Sequence, residues 1–209
     1  MKETQPIQQS LAYFQSWVSQ FAPSVVFRPP AKPGAIDSFR EISDLSLPED
    51  LCQFLQVTDG ETRTSAGMIG NWRLMPIAEI QAAWGLLDKL TEKGAFIDQK
   101  PESSPYLHKG WWHPKWVPVV TNDDGDYFCL DTDPPAPSRF GQVILYLQNQ
   151  PQRPLIAGSL SAWFERIARD LAAGLYSFDP GEGFNCEAFM RSALEGKHVF
   201  DGFPGKPIA

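Results

Sequence analysis

The densest group of chemically capable side chains is an acidic cluster that spans twelve residues. Its members are Asn122, Asp123, Asp124, Asp126, Asp131 and Asp133. Oxygen-rich clusters bind calcium when the ligands alternate around a glycine and a glutamate closes the loop. Gly125 is present, but no glutamate stands where the calcium-loop pattern requires one. Because Asp and Gly also form turns, the spacing favours a polar turn between strands, and we predict no bound metal.

Paired carboxylates could instead perform acid–base chemistry. Asp131 and Asp133 would point the same way from a strand, and glycoside hydrolysis needs two carboxyls about 5–10 Å apart. Asp133 precedes Pro134, however, and an Asp before a proline is more simply the start of a turn. Cys129 lies in an apolar run, which favours a buried thiol over a nucleophile. We therefore predict no catalytic residues and no cofactor.

A second concentration of side chains is aromatic. Trp111, Trp112, His113 and Trp116 follow a stretch of loop composition. Exposed aromatics of this kind stack on a ligand or anchor a protein partner, whereas a loop folded onto a sheet would bury them. The sequence leaves both possibilities open. The candidate partner contacts are Trp111, Trp112, Asp123, Asp124 and Asp126.

Composition limits the classes of partner. The chain has 209 residues, which suits one domain, and its net charge is −7. A general binder of nucleic acid or of anionic membranes would normally carry a basic patch, so the charge favours a protein partner, such as a basic one. The three cysteines have no disulfide or metal spacing, and no apolar run is long enough to span a membrane. These features predict a cytoplasmic protein.

The elements that must position these residues follow from hydrophobic periodicity. Apolar residues at helical spacing predict helices over 8–21, 35–45, 47–59, 76–93 and 159–173, with Ser159 as an N-cap. Short apolar runs between turns predict strands at 116–120, 127–131, 142–147 and 154–157. A hairpin over 68–75 and a short helix over 186–194 are also expected. The pattern predicts an α+β fold with a single central, mostly antiparallel sheet and helices packed around it.

Several spaced segments together resemble the SUKH superfamily, in the subgroup of fungal Smi/Knr-type cell-wall assembly regulators and bacterial toxin-immunity proteins. They begin with Leu-Pro-Glu-Asp-Leu at 47–51 and Asp-Gly at 59–60, and continue with Trp-Arg-Leu-Met-Pro-Ile at 72–77. Trp-Val-Pro at 116–118, Asp-Gly-Asp-Tyr-Phe-Cys-Leu-Asp at 124–131 and Gly-Gln-Val-Ile at 141–144 follow. The last is Ala-Gly-Ser-Leu-Ser-Ala-Trp at 157–163. The resemblance covers about residues 24–176.

The resemblance implies a division of the chain into an N-terminal helix (1–23), a SUKH-like domain (24–176) and a C-terminal extension (177–209). It also implies an α+β fold and no established catalytic residues. The residues that carry the motif are expected to define the fold. They are Leu47, Pro48, Asp59, Gly60, Trp116, Pro118, Gly125, Asp126, Asp131, Gly141, Gln142 and Val143.

Three functions follow as expectations. The first is a non-enzymatic immunity protein that binds and neutralises a cognate toxin, with an acidic surface that attracts a basic toxin domain. The second is a regulator or scaffold protein in cell-wall synthesis. The third is a protein that binds a small ligand or glycan, or an enzyme, through the acidic turn and the tryptophans.

Overall fold

The computed structural model describes residues 7–63, 67, 72–175, 177–179 and 183–185. Its helices are α1 (Ile7–Phe21), α2 (Ala35–Ser43), α3 (Glu49–Val57), α4 (Ile77–Glu92) and α5 (Leu160–Ala172), with a 3-10 turn at Pro137–Arg139. Its strands are β1 (Arg73–Leu74), β2 (Trp116–Thr121), β3 (Tyr127–Asp131), β4 (Gln142–Tyr146), β5 (Leu155–Ala157), β6 (Ser177–Asp179) and β7 (Gly183–Asn185). The predicted α+β class is confirmed.

The central sheet has five strands in the order β1-β2-β3-β4-β5, and every neighbouring pair is antiparallel. The three long strands are therefore adjacent in sequence and in space, which short turns permit. Asp131, the last residue of β3, lies between Trp116 of β2 and Gln142 of β4. The β2–β3 ladder is interrupted between Pro118 and Val120, so a bulge lies where a proline cannot donate a backbone hydrogen bond.

Both faces of this sheet are covered. On one face Phe128 packs against Trp163 of α5, with ring centroids 4.8 Å apart. On the other face Tyr146 meets Trp112 of the loop before β2, at 5.3 Å and nearly perpendicular. Every residue of β2 and β4 is consequently buried, which explains why these strands are apolar without alternation.

Helix α1 belongs to the same hydrophobic core as the sheet. Phe14 is fully buried and lies edge-on to Phe164 of α5 at 5.4 Å. The helix also packs against α3. The division into 1–23, 24–176 and 177–209 stays a prediction, but α1 is packed as an integral part of the described core.

The predicted helices and strands agree with the structure to within a few residues at each end. Ser159 caps α5, because its hydroxyl accepts a hydrogen bond from the Ala162 amide at 3.1 Å, and this prediction is confirmed. The predicted partner segment of the 68–75 hairpin and the helix over 186–194 lie outside the described residues. Within 72–75, strand β1 pairs with β2. The β6–β7 hairpin was not predicted.

Candidate functional site

The turn between β2 and β3, residues 122–126, forms a hairpin tip that is built by side chains. The Asn122 Oδ1 accepts hydrogen bonds from the backbone amides of Asp124 (2.9 Å) and Asp126 (3.3 Å). The Asp123 amide donates to the Thr121 hydroxyl at 2.9 Å. Asp123 has φ 63°, a left-handed conformation that Asp and Asn tolerate better than most residues. The sequence prediction of a polar turn is confirmed.

An arginine fixes Asp123 at this tip. The Arg73 side chain, 4% exposed, donates from Nε to Oδ2 of Asp123 at 2.8 Å and from Nη2 to Oδ1 at 2.6 Å. The same Nη2 lies 2.5 Å from Oε2 of Glu79 in α4. The paired Arg73 guanidinium lowers the pKa of Asp123, and its hydrogen bonds to Asp123 raise the pKa of Arg73. Arg63 adds a second guanidinium, 3.2 Å from Asp123.

The other two aspartates of the tip differ in how they are used. Asp126 accepts hydrogen bonds from the Gln148 amide at 2.8 Å and from Asn122 Nδ2 at 3.0 Å. Gln148 also donates its side-chain amide to the Asp124 carbonyl. The Asp124 carboxylate is exposed and has no hydrogen bond or ion pair within the part of the chain that the structure describes. The tip therefore presents one free carboxylate on a rigid turn.

The motif carboxylates elsewhere are used inside the fold. Asp59 accepts a hydrogen bond from the Ile77 amide at 2.7 Å and so stabilises the positive end of α4. Asp131, 1% exposed, accepts from Gln142 Nε2 at 3.0 Å and from the Asp133 amide at 3.1 Å. Burial is the largest influence on Asp131 and raises its pKa.

Two motif glycines stand where a side chain would collide. Gly60 has φ 74°, and a Cβ there would lie 2.6 Å from the Leu74 carbonyl oxygen. Gly141 has φ 82°, and a Cβ would lie 3.2 Å from the ring of Pro48, the residue before α3. The close approach of Gly141 to Pro48 thus holds the start of α3 next to the start of β4. These contacts show the role of each residue in this fold, and their role across the family stays a prediction.

The remaining motif residues line the interior or the tip. Leu47, Trp116 and Val143 are buried, and Pro118 lies at the β2 bulge opposite Cys129. Gly125 lies at the hairpin tip, with φ 91°. None of these side chains is placed for acid–base chemistry.

The two candidate tryptophans lie in the core. Trp111 is 8% exposed and Trp112 is 3% exposed, and the loop that carries them folds onto the sheet. Their contact with a partner stays a prediction, and burial assigns their indoles to packing. Of the candidate contacts, Asp123, Asp124 and Asp126 are the ones that the turn brings together at the surface. Among the described residues, no group of three His, Cys, Asp or Glu could hold a metal ion.

Some contacts could not be predicted from local sequence patterns. Asp50 lies in the first turn of α3, yet its carboxylate accepts a hydrogen bond from the Ser161 amide of α5 at 2.9 Å, and burial raises its pKa. Arg73 and Glu79 were not predicted as site residues. Arg73 lies in the motif segment 72–77, and its charge could have been paired with the acidic turn. Arg153, a buried cation described below, was also missed.

The arrangement defines an α+β scaffold whose motif side chains hold elements together, with exposed acidic charge at one hairpin. The chain belongs to the SMI1 / KNR4 family (SUKH-1), whose family model matches residues 30–166. The resemblance found in the sequence is therefore confirmed.

Three fungal proteins are similar to the chain. The "Glucan synthesis regulatory protein" of Neurospora crassa is 26% identical over 65% of this chain and 32% of its own length. "KNR4/SMI1 homolog 1" of Debaryomyces hansenii is 22% identical over 90% of this chain and 56% of its own length. The "Cell wall biosynthesis/cell cycle regulator smi1" of Schizosaccharomyces pombe is 25% identical over 69% of this chain and 31% of its own length. The chain thus spans about a third to a half of these relatives. The names of the Neurospora crassa and Schizosaccharomyces pombe proteins describe regulators.

No helix among the described residues has the length and apolar character needed to cross a membrane.

Proposed function

We propose that the protein is a non-enzymatic interaction domain that regulates cell-wall synthesis by binding a protein partner. The observation that carries this proposal is the family match over residues 30–166, together with fungal relatives that are named as regulators of glucan synthesis or of cell-wall biosynthesis. This favours the second of the predicted functions over the first. The immunity function stays a prediction, because none of these three relatives is named for it.

The use of the motif side chains supports a binding role. Asp59 and Asp131 are both engaged in hydrogen bonds within the fold, and Asp131 is buried beside Gln142. A catalytic carboxylate would instead face a cleft where it could reach a substrate. In such a scaffold, we expect the residues that bind a partner to lie on the surface.

The hairpin tip is the proposed contact surface. Asp123 is held by Arg73, and Asp126 by the Gln148 amide, so the turn is ordered before any partner arrives. Preorganised charge loses little conformational freedom on binding. With a net charge of −7 on the chain, the exposed Asp124 is suited to a basic segment of the partner, and long-range attraction would accelerate encounter.

A domain exchange tests the function. The region of the Neurospora crassa relative that aligns with this chain would be replaced by residues 1–209, and the chimera would be expressed in cells that lack that relative. We expect the chimera to restore the glucan content of the cell wall. The matched control replaces Phe14 and Phe164 with Asp, which destroys the core at two fully buried rings that touch at 5.4 Å. A stable, folded chimera that leaves glucan content at the deletion level would contradict the proposal.

A further inference from the structure

A cleft lined by residues outside the hairpin tip has the opposite polarity. The loop from Phe96 to Trp111 forms its wall, and Arg153, two residues before β5, forms part of its floor. Its volume is about 570 Å³, which is within the usual range of small-molecule sites. We call it the basic cleft.

Cations outnumber carboxylates around the basic cleft. Lys100, Lys109 and Arg153 line it, against Glu102 alone. Neither lysine has a carboxylate within 4 Å among the described residues, and both are exposed. His108 also lines the cleft, with its Nε2 3.9 Å from an oxygen of Asp133. A net positive cleft in a chain of net charge −7 is a local inversion of the overall charge.

Arg153 is a buried cation on the floor of the basic cleft. It is 6% exposed, and its guanidinium lies 4.9 Å from the Trp111 ring centroid and 4.4 Å from that of Tyr146. Among the described residues, its Nη atoms donate to three carbonyls, those of Gln150, Gln152 and Trp111. Its Nε is buried with no partner among the described residues, and no described carboxylate forms an ion pair with it.

A buried cation without a contacting anion is unfavourable unless something else supplies negative potential. Aromatic faces and carbonyl oxygens supply part of it here, and the more distant Asp126 carboxylate also acts to raise the pKa of Arg153. Burial lowers the pKa of Arg153 to about 10, so the guanidinium remains charged at neutral pH. An anion in the basic cleft would stabilise this charge and would itself be stabilised by the two lysines at the rim.

One part of the lining is apolar, beside the polar side chains of Gln99, Ser103 and Ser104. Phe96, Leu107, Trp111 and Trp116 form the wall against which a ligand would lie. Leu107, Trp111 and Trp116 are each buried, so the wall is part of the packed core and is preformed. A fully hydrated ion such as inorganic phosphate would leave this wall unused, whereas an anion with an apolar body would cover it.

We propose that the basic cleft binds a small organic anion that carries its charge on an apolar body. The charged group lies toward Lys100, Lys109 and Arg153, and the apolar body lies against Trp111 and Leu107. The lining of this site contains none of the residues 122–126, and the inference does not rest on the proposed regulatory function.

The test is a titration of the full chain with 4-phenylbutyrate. Proton–nitrogen NMR of the indole Nε1–H groups monitors the titration, and the variant Trp111→Phe assigns the Trp111 signal. The neutral 4-phenylbutyramide, of nearly equal shape, is the matched ligand control. We expect saturable shifts of the Trp111 indole with the carboxylate, and binding of the amide that is weaker by roughly fivefold or more. Equal affinity for the two compounds, or no saturable shift with the carboxylate, would overturn the proposal.

Two pairs of variants locate the charge. The double variant Lys100→Gln/Lys109→Gln should weaken 4-phenylbutyrate binding roughly fivefold, because it removes two exposed charges. The variant Lys32→Gln/Lys89→Gln removes the same charge from residues that do not line the basic cleft and should bind like the unaltered chain. Equal weakening by both pairs would show a response to net charge alone and would contradict the site. Arg153→Met should abolish binding, but the lysine variants decide the matter even if it unfolds the protein.

Discussion

Two aspartates near opposite ends of strand β3 lie in opposite environments. In the turn before the strand, Asp123 is exposed beside Arg73, and the pairing lowers its pKa. At the end, Asp131 is 1% exposed beside Gln142, and burial raises its pKa. In the sequence these residues form one acidic cluster. The structure divides it into a surface group that is available for binding and an interior group that organises the sheet.

This difference distinguishes an aspartate that holds the sheet together from aspartates that are available for binding. The interior aspartate lies where three strands meet, between Trp116 and Gln142. Its removal should therefore affect folding. The tip aspartates lie beyond the ladder, so their charges can change with less effect on the core. Substitutions at Asp131, Asp123 and Asp124 test that separation.

Asp131→Ala should lower the free energy of unfolding by about 2 kcal/mol, because it leaves the Asp133 amide and one Gln142 amide hydrogen without their acceptor. Urea unfolding followed by tryptophan fluorescence measures the change. A loss smaller than that of Asp123→Ala would reverse the comparison between the two ends of β3.

Asp123→Ala should lower the free energy of unfolding by about 1 kcal/mol. The variant removes two charge-assisted hydrogen bonds from Arg73, but that arginine retains Glu79 as a partner. The same unfolding assay, repeated with Glu79→Ala and with the double variant, gives the coupling between the carboxylates. Strict additivity of the two substitutions would show that they do not share Arg73 energetically.

The pH dependence of stability should have opposite signs at the two ends. The folded pKa of Asp123 lies below the ordinary 3.8, so its stabilisation is complete above that pH and is lost as the pH falls through the folded pKa. The folded pKa of Asp131 lies above 3.8, so its contribution is lost as the pH rises from 3.8 through the folded value.

Asp123→Asn and Asp131→Asn separate these contributions. The stability difference between the unaltered chain and Asp123→Asn should shrink below pH 3.8, whereas Asp131→Asn should gain on the unaltered chain as the pH rises above 3.8. Urea unfolding at several values between about pH 3 and about pH 7 reveals both windows. The same sign of slope for the two variants would be inconsistent with opposite environments.

Asp124→Ala should change the free energy of unfolding by less than about 0.5 kcal/mol, since its exposed carboxylate has no partner among the described residues. Thermal or urea unfolding beside Asp131→Ala provides the comparison. A loss as large as that of Asp123→Ala would mean that the free carboxylate supports the turn.

Local patterns were sufficient to predict most of the fold. The strand over Tyr127–Asp131 was predicted with the bounds that the structure has, because turn residues flank an apolar run. The N-cap of α5 was predicted because Ser159 precedes an amphipathic run. The β6–β7 hairpin escaped detection because its strands have three residues each, too few to establish a period.

The site was less predictable because its contacts join distant parts of the chain. Asp50 caps a helix 111 residues away, and Arg73 pairs with Asp123 across 50 residues. No local pattern encodes such a pairing. Arg153 stands among prolines without periodicity, and only the folded loop from Phe96 to Trp111 makes it the floor of a cleft. The exposure of Trp111 and Trp112 also depended on how that loop folds.

Charge reversal at the tip of the fungal chimera tests whether the acidic hairpin tip binds the partner. Asp124→Lys changes the exposed carboxylate of the hairpin tip, and Glu41→Lys makes the same change on the exposed face of α2. Both variants should fold with the stability of the unaltered chimera. We expect cells with Glu41→Lys to recover cell-wall glucan fully, whereas cells with Asp124→Lys should not. Full recovery with both variants would contradict the proposal that the acidic hairpin tip binds the partner.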